Sequence, residues 1–90
     1  MTTKKNPEPQ PYIARLIVLG KTYTAKGKDV LSAISALDPG IAKGKGILTL
    51  IHGDKSRERV LQPGLVMKTF NTRGVFQEIA RKRIATLFDL

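Results

Sequence analysis

Residues 12–19, YIARLIVL, form a run that is apolar on both faces of an extended chain. Successive side chains of a strand point to opposite faces, so the run divides into two sets. One set is Tyr12, Ala14, Leu16 and Val18, and the other is Ile13, Arg15, Ile17 and Leu19. A strand with two mainly apolar faces is typical of the interior of a sheet. The run therefore predicts an interior strand rather than an edge strand.

A hairpin partner and a helix follow this strand. Gly20-Lys21 is a tight-turn signal, and Lys21–Lys26 (KTYTAK) alternates as a second strand, so residues 12–26 predict a β-hairpin. After Gly27 the apolar spacing becomes helical. The predicted buried face of this helix consists of Val30, Leu31, Ile34 and Leu37. Asp29 lies in the first turn, where a carboxylate favours the helix dipole, and Asp38-Pro39-Gly40 ends the helix.

The second half of the chain predicts two more strands and two helices. The segments are a third strand at Ile47–His52, a turn at Gly53–Ser56, a fourth strand at Arg57–Gln62, a short helix at Pro63–Phe70 and a last helix near Gly74–Phe88. Asn71 and Thr72 are candidate caps for the last helix. Its predicted buried stripe is Phe76, Ile79, Ala80, Ile84, Leu87 and Phe88.

These segments predict the α+β class. The order ββαββα favours a single domain over residues 12–90, with one four-stranded sheet and the helices packed on one of its faces. Residues 1–11 hold three of the five prolines and no apolar residue after Met1. We therefore expect them to form a flexible arm outside the domain.

The stretch LIVLGKTYTAKGKDVLSAISAL, residues 16–37, resembles the opening hairpin and helix of β-grasp (ubiquitin-like) domains. The shared features are a strand, a glycine turn, a strand with Tyr-Thr-Ala, a glycine and an aliphatic helix. The resemblance implies this opening of the fold. It implies no functional residues, because the chain continues into helices after Pro63 and has no terminal Gly-Gly.

Composition excludes several kinds of chemistry. The chain has no cysteine, one histidine and seven carboxylate residues. It therefore lacks material for a disulfide framework or a thiolate metal site, and we expect no metal, no cofactor and no catalytic residues. No apolar run reaches the roughly 18 residues that span a bilayer, so we expect no membrane partner. No export signal is visible, which predicts a cytoplasmic protein.

Charge is the main functional signal in the sequence. The 16 Lys and Arg residues outnumber the 7 Asp and Glu residues, which gives a net charge of +9. Such a balance favours binding to phosphates of DNA or RNA, largely without sequence specificity. The predicted phosphate contacts are Lys21, Lys26, Lys28, Lys43, Lys45, Lys55, Arg57 and Arg59. Arg81 and Lys82 are predicted to form a secondary basic patch.

The local setting of these cations gives further expectations. The segment Gly40–Gly46 can present backbone N–H groups and two lysines to phosphate, or its glycines can serve only the geometry of a surface loop. Arg57 and Arg59 alternate with Glu58, so they share a face of the fourth strand, and we expect Thr49 opposite them. Aromatic residues do not alternate with basic residues along any one strand, which disfavours base stacking as the main binding mode.

Two other functions fit the same sequence. The chain can be a structural or assembly subunit of a virion or ribonucleoprotein, in which the proline-rich arm lies along a neighbour and copies of the chain associate. It can also be a regulatory module that binds an acidic protein, because a basic surface recognises either kind of polyanion.

Overall fold

The strands and helices follow the predicted order. The computed structural model describes residues 10–40, 42–71 and 73–88. Its elements are β1 (Tyr12–Val18), β2 (Lys21–Gly27), α1 (Val30–Ala36), β3 (Gly46–His52), β4 (Lys55–Leu61), α2 (Pro63–Phe70) and α3 (Val75–Ala85). The predicted α+β class is confirmed, with a four-stranded sheet in one compact domain and two helices after the last strand. The predicted arm lies outside the described residues except for Gln10 and Pro11, which are exposed.

β1 is an interior strand, as its two apolar faces predict. The sheet order is β2-β1-β3-β4, and every neighbouring pair is antiparallel. Leu16 of β1 pairs with Tyr23 of β2 on one side and with Leu48 of β3 on the other. This register places the buried hydrophobic residues of the central strands on one face, under the helices, whereas the buried Thr49 lies on the other face. The buried hydrophobic residues are Ala14, Leu16, Val18, Leu48 and Leu50.

The connection between β1 and β2 is tighter than the sequence indicates. Leu19 was expected to continue the strand, but it forms the turn with Gly20, and both residues have positive φ angles of 52° and 76°. A two-residue hairpin requires this conformation so that the turn twists in the same sense as its strands. The Leu19 side chain is consequently 71% exposed.

Asp29 is the N-cap of α1. Its backbone is extended, and its Oδ1 accepts a hydrogen bond of 2.7 Å from the backbone N–H of Ser32. The backbone and side-chain hydrogen bonds from Ser32 hold the pKa of the Asp29 carboxyl below its ordinary value, because they favour the ionised form. Residues 16–37 thus contain the hairpin and the helix that the apolar spacing predicts.

The predicted buried stripe of the last helix is half wrong. Ala80, Ile84 and Phe88 are buried and follow one another at a spacing of four residues. The other three predicted members are exposed: Phe76 (75%), Ile79 (47%) and Leu87 (43%). The helices lie in one layer, in which α3 contacts both α1 and α2, so only a narrow line of α3 faces the sheet. Apolar spacing identifies the apolar residues on one side of a helix but not which of them pack against another element.

The ends of the last two helices also differ from the expectation. Gly74 is the N-cap residue of α3, with a φ of 82°, whereas Asn71 is the C-cap of α2. Thr72, the other candidate cap, lies outside the described residues. No helix within the described ranges is long and apolar enough to cross a membrane.

We predict opposite effects for alanine at two glycines. A Cβ at Gly27 would lie 2.3 Å from the backbone nitrogen of Ala33, so Gly27→Ala must push α1 away from β2. We expect it to lower the free energy of unfolding by at least about 2 kcal/mol. Gly64 of α2 has open space around the same position, and Gly64→Ala should stabilise by about 0.5–1 kcal/mol. Urea unfolding measures both changes, and an unaffected Gly27→Ala variant would contradict the close contact between α1 and β2.

Candidate nucleic-acid interface

The eight predicted phosphate contacts do not form a single cluster. The register separates them into three groups, at positions up to about 20 Å apart along the seven-residue strands. The groups are Lys21 with Lys43 and Lys45, Lys26 with Lys28, and Lys55 with Arg57 and Arg59. All eight side chains are exposed. We call the first group the turn cluster and the third group the edge row.

The edge row follows the outer strand of the sheet. Lys55, Arg57 and Arg59 are alternate residues of β4, so their side chains share one face at a spacing of about 7 Å. Their partners in β3 are His52, Leu50 and Leu48, which belong to the helix-covered face. The expectation that Thr49 lies opposite the arginines is therefore wrong, because Thr49 pairs with Glu58 on the other face. The predicted alternation of Arg57 and Arg59 is correct, but the register between two strands cannot be derived from the sequence of one of them.

No helix shields the edge row within the described part of the chain. The backbone of α1 lies close to β2 and β1, and buried side chains of α2 and α3 share the core with Leu48, Leu50 and Leu61, but every residue of β4 except Leu61 is exposed. One side chain from the helical half does reach the row, because the Arg59 guanidinium lies 5.9 Å from the ring centroid of Phe88. This cation–π contact positions Arg59 and leaves its outer side in solvent.

The two arginines of the edge row are bonded to main chain. Arg57 Nη1 donates to the carbonyl of Ser56, and Arg59 Nη1 donates to the carbonyl of Glu58, each at 2.9 Å. A guanidinium has five N–H donors, so each of these bonds leaves others for an anion. Charges on an outer strand also prevent another chain from pairing with it.

A pair of stacked rings lies beside the edge row. Tyr12 and His52 are direct partners in β1 and β3, with ring centroids 3.8 Å apart and planes inclined by 13°. Both rings are half-buried, and Lys55 is the next residue across the sheet from His52. Aromatic and basic groups therefore neighbour one another across strands, where the sequence showed no such pattern along a strand. Only the strand register shows that Tyr12, His52 and Lys55 are neighbours.

The turn cluster stands on a loop that the fold holds in place. The Asn71 side chain accepts a hydrogen bond of 2.9 Å from the Ala42 N–H and donates one to the Ala42 carbonyl. Gly46, at the other end of the loop, is closely packed, because a Cβ there would lie 3.2 Å from side-chain carbons of both Leu16 and Val66. Lys43 and Lys45 project between these two anchor points. Close packing therefore explains the glycine at position 46, and this glycine of the segment does not require a phosphate ligand.

Arg81 and Lys82 differ in how freely each side chain can contact an anion. Arg81 is half-buried, and its Nε donates to the Thr69 carbonyl at 3.1 Å, which ties α3 to α2. Burial lowers the pKa of Arg81, and the nearby Glu78 carboxylate partly opposes that change. Lys82 is exposed. The secondary patch therefore offers one solvated cation beside one that has a structural bond.

No metal centre is evident among the residues that the structure describes. No three His, Asp or Glu side chains of this part of the chain lie close enough together to hold a metal ion. The histidine instead stacks on Tyr12.

Comparison with known proteins gives no relative. No protein-family model matches the chain, and neither the curated proteins nor the solved structures contain a significant match. Functional inference therefore rests on the geometry of the chain itself.

Proposed function

We propose that this protein is a non-enzymatic nucleic-acid-binding protein that holds a single strand along the edge row. The observation that carries the proposal is the position of three exposed cations beside a stacked ring pair, on a part of the sheet that no described helix covers. A basic track combined with aromatic rings is the arrangement that sequence-tolerant single-strand binding uses.

The edge row supplies the attraction to phosphate. Lys55, Arg57 and Arg59 project from one face of an extended strand, so they form a line rather than a point. A line of positive charge can follow a phosphate backbone, and it does so without reading base identity. The net charge of +9 adds long-range attraction that brings a polyanion to this surface.

The ring pair favours single strands over duplex. The bases of a single strand are free to stack on aromatic side chains, whereas those of a duplex are already stacked on one another. Tyr12 and His52 are half-buried, so they keep part of their surface for such a contact. A cytoplasmic location stays a prediction.

Removing the charges of the edge row should weaken binding more than removing an equal charge elsewhere. The test compares the triple variant Lys55→Gln/Arg57→Gln/Arg59→Gln with the matched triple Lys21→Gln/Lys43→Gln/Lys45→Gln, using labelled oligo(dT) in fluorescence anisotropy. Both variants lose three positive charges. The edge-row variant should bind about 100-fold more weakly at 0.1 M salt, and its log–log salt slope should be about 2 smaller in magnitude. Equal losses in the two triples would mean that net charge, and not this surface, determines binding.

Removing the histidine ring should weaken binding in a different way. His52→Ala deletes one half of the stacked pair, and we expect a loss of about 1–3 kcal/mol in binding free energy. Because stacking releases no counterions, the salt slope should stay that of the unchanged protein. Anisotropy titrations at several salt concentrations measure both quantities. Unchanged affinity would show that the rings contribute nothing to the interface.

A further inference from the structure

The sheet has a second face, which points away from all the described helices. Alternation and register place three rows of side chains across it. The rows are Lys26–Ile13–Ile51–Ser56, Thr24–Arg15–Thr49–Glu58 and Thr22–Ile17–Ile47–Val60. We call this surface the open face. The edge row lies on the opposite side of the same sheet.

The open face is unusually apolar for a surface in water. An antiparallel sheet with one solvated side normally carries polar residues there. Here four isoleucines occupy the two central strands, and Val60 on β4 is 53% exposed. The isoleucines are half-buried with no helix above them among the described residues. Two aliphatic groups on one solvent-facing sheet surface, Ile13 with Ile51 and Ile17 with Ile47 and Val60, are typical of a surface that a partner covers.

The polar middle row is self-complementary. Arg15 on β1 and Glu58 on β4 lie on either side of Thr49, so they are about 10 Å apart in a line across the strands. A two-fold axis that runs parallel to the strands and passes over β3 reverses the strand order of the second copy and leaves each row facing the same row. Arg15 of each copy then lies over Glu58 of the other copy, Ile47 and Ile51 face their own counterparts, and Ile17 faces Val60. A two-fold interface has this reciprocal pairing.

We propose that the open face binds a second copy of this chain to form a face-to-face dimer. The positions of Arg15 and Glu58 favour a second copy of the chain over an acidic partner. A partner of purely acidic chemistry would satisfy Arg15 but would place its carboxylates against Glu58, whereas a second copy satisfies both. The two copies leave their edge rows on the outer sides of the dimer.

The area of the open face predicts a weak dimer. The pairing of Arg15 with Glu58 overlaps three strands of each copy, β1, β3 and β4, which are about 4.8 Å apart and seven residues long and give a face of about 14 by 24 Å. Two such faces, corrugated by their side chains, bury on the order of 800 Å² in total, which is at the weak, transient end of protein interfaces. The positive net charge of both copies further opposes association. We therefore expect dissociation in the micromolar range, and tighter association as salt rises.

The salt dependence separates this proposal from the proposed function. Nucleic-acid binding weakens as salt increases, because bound counterions are released. The dimer should strengthen between 50 and 300 mM salt, because screening reduces the repulsion between like net charges. Sedimentation equilibrium without nucleic acid therefore tests the dimer alone, and either proposal can fail while the other stands.

Charge exchange on the open face provides the decisive variants. Glu58→Arg places two arginines in each reciprocal pair, and we expect it to raise the dimer dissociation constant at least about 10-fold. The control Glu78→Arg makes the same change in net charge on exposed α3 and should leave the two-fold pairing intact. The double variant Arg15→Glu/Glu58→Arg keeps the net charge of the unchanged protein and restores opposite charges in each pair. It should therefore dimerise to within about threefold of that protein.

Three results would overturn the proposal. The first is a protein that stays monomeric up to about 500 μM at 300 mM salt. The second is a Glu58→Arg variant that associates as tightly as the Glu78→Arg control, or a double variant that remains monomeric. The third is a dimer that Phe76→Ser/Ile79→Ser disrupts while the charge variants do not, which would place the contact on α3. Circular dichroism confirms that each variant is folded.

Discussion

The fold depends on the pairing of β1 along both of its edges. Its inward side chains, Ala14, Leu16 and Val18, are almost fully buried, and this is possible only because β2 and β3 flank them and the helices lie above. The hydrogen bonds of β1 are satisfied on both sides, so a mainly apolar strand can sit in the middle of a sheet without exposed polar backbone. The positions of β2 and β4 follow from this arrangement. β2 must turn back tightly at Leu19–Gly20, and β4 is left at the outer edge.

The helix layer is narrower than the sheet, and this mismatch shapes both candidate surfaces. The helices cover the buried residues of β1 and β3, but every residue of β4 except Leu61 is exposed, and the Phe88 ring lies near Arg59. Three short helices also cannot cover a second face, which leaves the isoleucines opposite the core without a described partner. The cations of the edge row lie on the exposed helix side of β4. The open face carries aliphatic residues together with Arg15 and Glu58. Under the two proposals, one side of the sheet binds a polyanion while the other associates with its copy.

Much of the fold could be predicted from local patterns, and much of the site could not. The interior position of β1 follows from its own side chains, and the Pro63–Phe70 helix was predicted with its bounds. The register between strands that are distant in sequence could not be predicted from local patterns. It decides that Arg57 and Arg59 lie opposite leucines rather than Thr49, and that Tyr12 meets His52. The exposure of Phe76 was equally hidden, because its spacing suits a buried stripe and only the width of the helix layer leaves it in solvent.

The most direct measurement of where the chain binds nucleic acid is a two-dimensional ¹H–¹⁵N NMR titration with a short, unstructured oligo(dT) at low salt. Binding along the edge row should move the amide signals of Lys55–Arg59, together with those of Tyr12 and His52, with fast exchange at weak affinity. Signals of Lys43 and Lys45 in the turn cluster should move much less, although they carry comparable charge. Shifts centred on that cluster, or an absence of shifts at saturating oligonucleotide, would contradict a binding surface on β4.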